Sequence, residues 1–167
     1  EETCQLQADH LQRLSAEELP VPDRTLLAHR RDMTSTLAAF HHSPLRVTVL
    51  QQGRVQDLYL REVFLQTIPQ KVTVEYGVIA IAVGQFAPDA QAAIQAGEQP
   101  LGGILHRFNI PFASNPTGFF SVAASALPSA HRRALRADRC FGRFNRLSKP
   151  TGEPLAWIME ILPRFTA

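Results

Sequence analysis

Two charged residues stand out because of the pattern around them. Arg61 falls in the run Leu58-Tyr-Leu-Arg-Glu-Val-Phe-Leu65, and Glu160 in Leu155-Ala-Trp-Ile-Met-Glu-Ile-Leu162. Both runs have the period and composition of strands. On the first, Tyr59, Arg61, Val63 and Leu65 share one face, and Leu58, Leu60, Glu62, Phe64 and Gln66 the other. On the second, Ala156, Ile158, Glu160 and Leu162 share a face. A charge on a core-facing side is costly unless it has a partner. Two arrangements would satisfy it. Arg61 and Glu160 pair with each other as a buried salt bridge, or they bound a pocket with a guanidinium at one end and a carboxylate at the other. Such a pocket suits a small rigid acid with a hydroxyl opposite its carboxylate, which is the shape of an aromatic acid. Arg61 takes the carboxylate with two parallel hydrogen bonds, and Glu160 accepts from the hydroxyl.

Other familiar chemistry is missing. There is no Gly-rich phosphate loop, no HExxH and no GxSxG. Ser35, Ser114 and Ser121 have no triad context, and His41 and His42, as helix neighbours, point in different directions. His106 and Arg107 follow the Pro100-Leu-Gly-Gly103 turn, where they either line a pocket or lie on the surface. Cys4 and Cys140 form no zinc spacing and no disulfide framework, although one bridge is arithmetically possible. Residues 1–30 carry no apolar signal core, so a reduced, cytoplasmic protein is expected. The longest apolar run, Val78 to Val83, is a strand's length and excludes a membrane-spanning helix.

With 167 residues, 45% of them apolar and 19% charged, the chain is expected to form one globular domain over 1–167. The formal charge of +2 hides an asymmetry. Between His131 and Lys149 seven basic residues meet one acid, Asp138. Arg accounts for 15 of the 17 basic residues, which suggests an anionic ligand or a solvated face. Phe141 and Phe144 are too few to make this segment a nucleic-acid surface, so no nucleic-acid partner is expected.

These residues need a scaffold. Residues 1–42 read as helical: Leu6, Leu11 and Leu14 on one side of a first helix, Asp23 capping a second, and Asp32 capping a third with Met33, Leu37 and Phe40. A sheet-rich core follows over 45–164. Strands are expected at Arg46–Leu50, Val55–Thr67, Lys71–Gly84, Phe141–Leu147 and Leu155–Leu162, with tight turns at Gln51-Gln52-Gly53, Ile68-Pro69-Gln70 and 149–154. Helices are expected over Pro88–Ala96, closed by Gly97, from Pro100 onward, and over His131–Arg139. The Pro-, Ser- and Ala-rich stretch 110–128 reads as a long loop or lid. Strands in blocks rather than in βαβ alternation predict an α+β fold, an antiparallel sheet flanked by helices.

Taken in order, Asp32-Met-Thr34, Leu60-Arg-Glu-Val63, Pro100-Leu-Gly102, Phe141-Gly-Arg-Phe-Asn-Arg-Leu147, Gly152-Glu-Pro-Leu155 and Met159-Glu-Ile-Leu-Pro163 resemble the chorismate lyase (chorismate–pyruvate lyase) family over residues 20–164. The resemblance implies an antiparallel sheet with an enclosed ligand, and removal of pyruvate from chorismate to leave 4-hydroxybenzoate, for biosynthesis. It implies that no metal or organic cofactor is needed. Arg61 would hold the ring carboxylate, assisted by backbone N–H groups around Met33 and at Leu101-Gly102. Glu160 would contact the hydroxyl end and act in proton transfer.

The sequence departs from the family pattern in two places. A second arginine is expected on the strand after Arg61, where it meets the substrate's other carboxylate. Counting fifteen residues on from Arg61 reaches Tyr76, beside Glu75, and an acid there repels that carboxylate. His106, Arg107 and Arg143 are candidates to replace the missing cation. The stretch from Gly102 to Gly142 is also longer than in the family. These departures leave open a related enzyme acting on another carboxylate, or a small-molecule sensor such as the effector domains of some bacterial regulators that share this fold.

Overall fold

A computed structural model describes residues 10–127, 129–135 and 138–163. Seven strands form one antiparallel sheet: β1 (Leu11–Leu14), β2 (Leu45–Val55), β3 (Leu58–Thr67), β4 (Thr73–Ala82), β5 (Ala113–Ala123), β6 (Arg139–Ser148) and β7 (Pro154–Leu162). Their order across the sheet is β1-β5-β6-β7-β4-β3-β2. Five helices accompany them: α1 (Asp23–Leu27), α2 (Met33–His41), α3 (Pro88–Ala96), α4 (Leu101–Arg107) and α5 (Ser129–Leu135).

The first four helices lie on one face of the sheet. Leu26, Leu27, Leu37, Ile94, Ile104 and Leu105 bury themselves there against Val63, Ile79, Ile81 and Leu147. The second face carries a smaller cluster of Tyr76, Phe120, Val122, Cys140 and Ile161, with Leu135 of α5 packed on it. Alternation decides which residues go where. In β3, Tyr59, Arg61, Val63, Leu65 and Thr67 are buried while their neighbours are half-buried. In β7, Trp157 is exposed while Ala156, Ile158 and Glu160 are buried. Helix α3 has the limits its Pro88 and Gly97 predict, and Gly97 takes the left-handed conformation that ends it.

Several expectations are corrected. Leu11–Leu14 is not helical: it is a strand, pairing Leu11 with Val122 and Leu14 with Phe119 at the sheet edge. A four-residue run is too short for periodicity to decide, and the open edge of β5 supplies the hydrogen bonds. Leu6 and Cys4 lie outside the described residues. Asp23 is the first residue of α1, and Pro22 takes the cap position. The polar stretch Gln51-Gln52-Gly53 is not a turn. β2 continues to Val55, and the chain reverses at Gln56, which adopts a left-handed φ of 53°. The stretch 110–128 is not a lid. Most of it is β5, which pairs with both β1 and β6. Pro116, which lacks the N–H of a regular strand residue, sits where the register shifts between Pro116 and Gly118. The basic segment is split among α5, β6 and the turn that follows, because α5 ends at Leu135 and β6 begins at Arg139.

Candidate ligand-binding site

Arg61 points inward from β3 and is only 2% exposed. Its Nη2 donates to the Gln99 carbonyl at 3.3 Å, and its Nε and Nη1 find no hydrogen-bond partner among the described residues. Burial lowers its pKa from the ordinary value, but an arginine cannot shed its proton at neutral pH. The side chain is therefore a buried cation with unused donors, facing a cavity.

Glu160 faces the same cavity from β7. It stands opposite Gly77 of β4 and opposite Arg143 of β6. Arg143 is completely buried. Its Nε donates to Glu160 Oε2, its Nη1 to the carbonyls of Leu27 (3.0 Å) and His29 (2.9 Å), and its Nη2 to that of Arg31 (3.3 Å). One guanidinium thus neutralises Glu160 and ties the α1–α2 connection to the sheet. Burial raises the Glu160 carboxyl pKa, and Arg143 opposes the rise. Glu160 pairs with Arg143, not with Arg61.

Beside Glu160 stands a second acid, Glu75. The register passes from Leu65–Glu75 to Gln66–Thr73, so Val74 is the extra residue of a β-bulge. From Glu75 onward the register is regular, so Glu75 shares a face with Gly77 and Ile79 and lines the cavity, while Tyr76 is turned to the other face. Glu75 is 3% exposed and its Oε2 has no hydrogen-bond partner among the described residues. Its carboxyl leans over Gly77, where an added Cβ would lie 3.0 Å from Glu75 Oε1. Burial, then the charge of Glu160, push the Glu75 carboxyl well above its usual pKa, against a pull from Arg143.

The N-termini of α2 and α4 form the cover. Asp32 caps α2 by accepting from the Ser35 N–H at 2.8 Å. Burial works to raise the Asp32 carboxyl, but the Ser35 N–H and His106 outweigh it and hold it below its usual value. Gly102 lets α4 approach closely, since a Cβ there would lie 2.7 Å from Asp32 Oδ2. First-turn N–H groups of a helix lack intrahelical acceptors and attract anions. The nine residues of α2 present such a turn at Met33 and Thr34, next to the cavity.

Free space in the cavity totals about 460 Å³ out to its mouth, of which only about 30 Å³ admits the centre of a water molecule. The site is therefore narrow. Its walls are apolar, from Val47, Val63, Leu65, Ile79, Leu147 and Ile158.

Five of the residues singled out by sequence meet here: Arg61, Glu160, Met33, Leu101 and Gly102. Three do not. Tyr76 lies on the opposite face, donating to Glu62 at 2.8 Å with its ring against His131. His106 is exposed outside the cover, 3.1 Å from Asp32 Oδ1. Arg143 sits behind Glu160 with its donors committed. Arg107 is exposed, bound to the Gln99 side chain at 3.1 Å. Glu75, Asp32 and Asn145 line the cavity without having been singled out for it. Sequence carried a signal for Asp32, the cap ahead of Met33, and one for Glu75, which alternation puts on the same strand face as Ile79 and Ile81. Among the described residues, no group of three or more His, Cys, Asp or Glu could hold a metal ion, and no helix is long and apolar enough to cross a membrane.

No protein-family model and no curated protein matches this chain. Among solved structures, gene product SA0254 from Staphylococcus aureus subsp. aureus N315 is similar with a TM-score of 0.55 and 9% identity, covering 81% of this chain and 90% of that one. The C-terminal domain of histidine utilization repressor from Pseudomonas syringae pv. tomato str. DC3000 is more distantly similar, with a TM-score of 0.45 and 13% identity over 74% of this chain and 99% of that one. The fold is α+β and of the chorismate lyase-like kind, a seven-stranded antiparallel sheet with helices.

Proposed function

We propose that the cavity binds a small cyclic carboxylate of the 4-hydroxybenzoate class, with Arg61 as the anchor of the carboxylate. The unpaired, buried guanidinium of Arg61 carries this reading. A cation withdrawn from water without an acid beside it is stabilised when an anion arrives. The α2 N-terminus adds N–H groups, and the apolar walls suit a ring. The test is titration calorimetry with 4-hydroxybenzoate on the wild type and on Arg61→Ala. Binding to the wild type, weakened by about 2–5 kcal/mol in the variant, is expected. A folded wild type that binds no benzoate-class acid overturns the reading.

A second reading makes the cavity a lyase site. It is favoured by the meeting of Arg61, Glu160, Met33, Leu101 and Gly102 in one place, as the sequence resemblance implies. In that reaction the bond between the chorismate ring and the enolpyruvyl oxygen breaks and the ring loses a proton. The departing enolpyruvate gains one and becomes pyruvate. Aromatisation drives the change, so the protein's part is to orient the substrate and carry protons, and this reading gives the proton transfer to Glu160. Incubation with chorismate and detection of pyruvate decides it: ligand binding without pyruvate above background leaves a binding domain.

A further inference from the structure

We infer that Glu75 sets the charge class of the ligand: the cavity takes a cyclic monocarboxylate whose opposite end is a neutral oxygen or amide, and discriminates against dicarboxylates. This rests on the carboxylate-site reading above and concerns the opposite end of the same cavity. Arg61 and Glu75 belong to adjacent strands, and Glu75 pairs with Leu65, four residues beyond Arg61. At about 3.3 Å per residue, this separates the two backbones by roughly 13 Å along the sheet. Glu160 stands opposite Gly77, between these two levels. One end of the cavity is therefore cationic and the other is built from two acids.

Among the described residues, the acid end has no cation to spare. Arg143 is used by Glu160 and by three backbone carbonyls. His106 and Arg107 lie outside the cover. Tyr76 is on the other face. Glu75 is 97% buried with an oxygen that lacks a partner, and it faces the cavity. A neutral ligand group suits Glu75 in either protonation state, accepting its O–H when the carboxyl holds a proton, as burial and Glu160 encourage, and donating to it when it is ionised, whereas a ligand carboxylate is repelled by the ionised form. A second ligand carboxylate would place a third acid in the same dry space, where like charges repel most strongly. Gly77 belongs to this arrangement, because any larger residue would displace the Glu75 carboxyl.

Terephthalate and 4-carbamoylbenzoate test the inference, since they share a shape and differ by one charge. Calorimetry on the full chain at neutral pH should find 4-carbamoylbenzoate bound at least about tenfold more tightly than terephthalate, a modest fraction of what like-charge juxtaposition can cost. Glu75→Gln keeps the side-chain volume, removes the acid and presents two N–H donors. It should bring the two affinities within about threefold of each other. Thermal unfolding confirms that the variant is folded. Equal or tighter binding of terephthalate by the wild type overturns the inference, and so does a ratio that Glu75→Gln leaves unchanged. Failure of both acids and of 4-hydroxybenzoate to bind at all is the separate result that removes the carboxylate-site reading itself.

Discussion

Replacing Arg61 by Met should make the free protein more stable and its ligand binding much weaker. Arg61 is 2% exposed and, among the described residues, forms a single hydrogen bond of 3.3 Å and leaves Nε and Nη1 without partners. Each unsatisfied buried polar group costs about 1–3 kcal/mol, and more when it is charged. Met fills a similar volume, tolerates an irregular space, and needs no partner. Exchanging buried charged groups for apolar ones has stabilised other proteins by about 1–4 kcal/mol. For a chain of this length that corresponds to a rise in Tm of roughly 2–16 °C. Ligand reverses the ranking. At a concentration one hundred times its Kd, 4-hydroxybenzoate should add about 2.7 kcal/mol to the wild type, and a small fraction of that to Arg61→Met. Differential scanning fluorimetry with and without the acid reads both effects. A variant destabilised by more than about 1 kcal/mol whose ligand-induced shift equals the wild type's would show that Arg61 holds the fold together, and the reasoning would fail.

Glu160→Gln preserves the cavity's shape and an acceptor for Arg143, so it should keep ligand binding, but pyruvate release from chorismate, where present, should fall at least about a hundredfold in a coupled assay. Gly142→Ala should be strongly destabilising, at or beyond the upper end of about 1–3 kcal/mol, because its Cβ would lie 2.4 Å from the Glu160 carbonyl and 2.5 Å from Phe120 Cζ; denaturant titration measures this. Glu75 has a folded-state pKa raised above its ordinary 4.5, so the folded chain holds a proton that the unfolded chain releases. Its contribution to stability is then fully present below 4.5 and declines as pH rises toward the folded-state value, and Glu75→Gln should flatten that part of a stability–pH curve.

The parts of the fold that were readable from sequence are those where a local signal has one physical meaning. Pro88 and Gly97 fixed both ends of α3, and alternation assigned the faces of β3 and β7, which is why Arg61 and Glu160 were found. Asp32 was a cap by type and position. The failures share a different cause. Counting along the chain from Arg61 reached Tyr76, but the unbroken register that sets Arg61 opposite Ile79 and Leu65 opposite Glu75 puts Glu75, Gly77 and Ile79 on Arg61's face and Tyr76 on the other. The stretch 110–128 looked like a loop because Pro and Ser favour loops, whereas Pro116 is accommodated at an irregularity between two partner strands. Leu11–Leu14 is a strand only because β5 offers it an edge. Bulges and edge pairings are decided by the partner strand, which no local pattern contains.

Arg61 and Arg143 make the same point about function. In the sequence, Arg61 stands alone among apolar residues and Arg143 belongs to a basic cluster, yet in the structure both are buried on the inner side of the sheet. What separates them is the neighbour across the ladder. Arg143 stands opposite Glu160 and is satisfied within the protein. Arg61 stands opposite Gln52 on one side and Ile79 on the other, and neither supplies a charge. Strand order, not residue type, therefore turned one arginine into a clamp and left the other without a charged neighbour across the ladder. The same order placed Glu75 and Glu160 together at the other end of the cavity. The cluster of basic residues between His131 and Lys149 contributes to the cavity only indirectly, through the one member that Glu160 already occupies. Its other described members offer the cavity no free cation, which is why the net charge of that segment says little about the ligand and the single unpaired guanidinium says more.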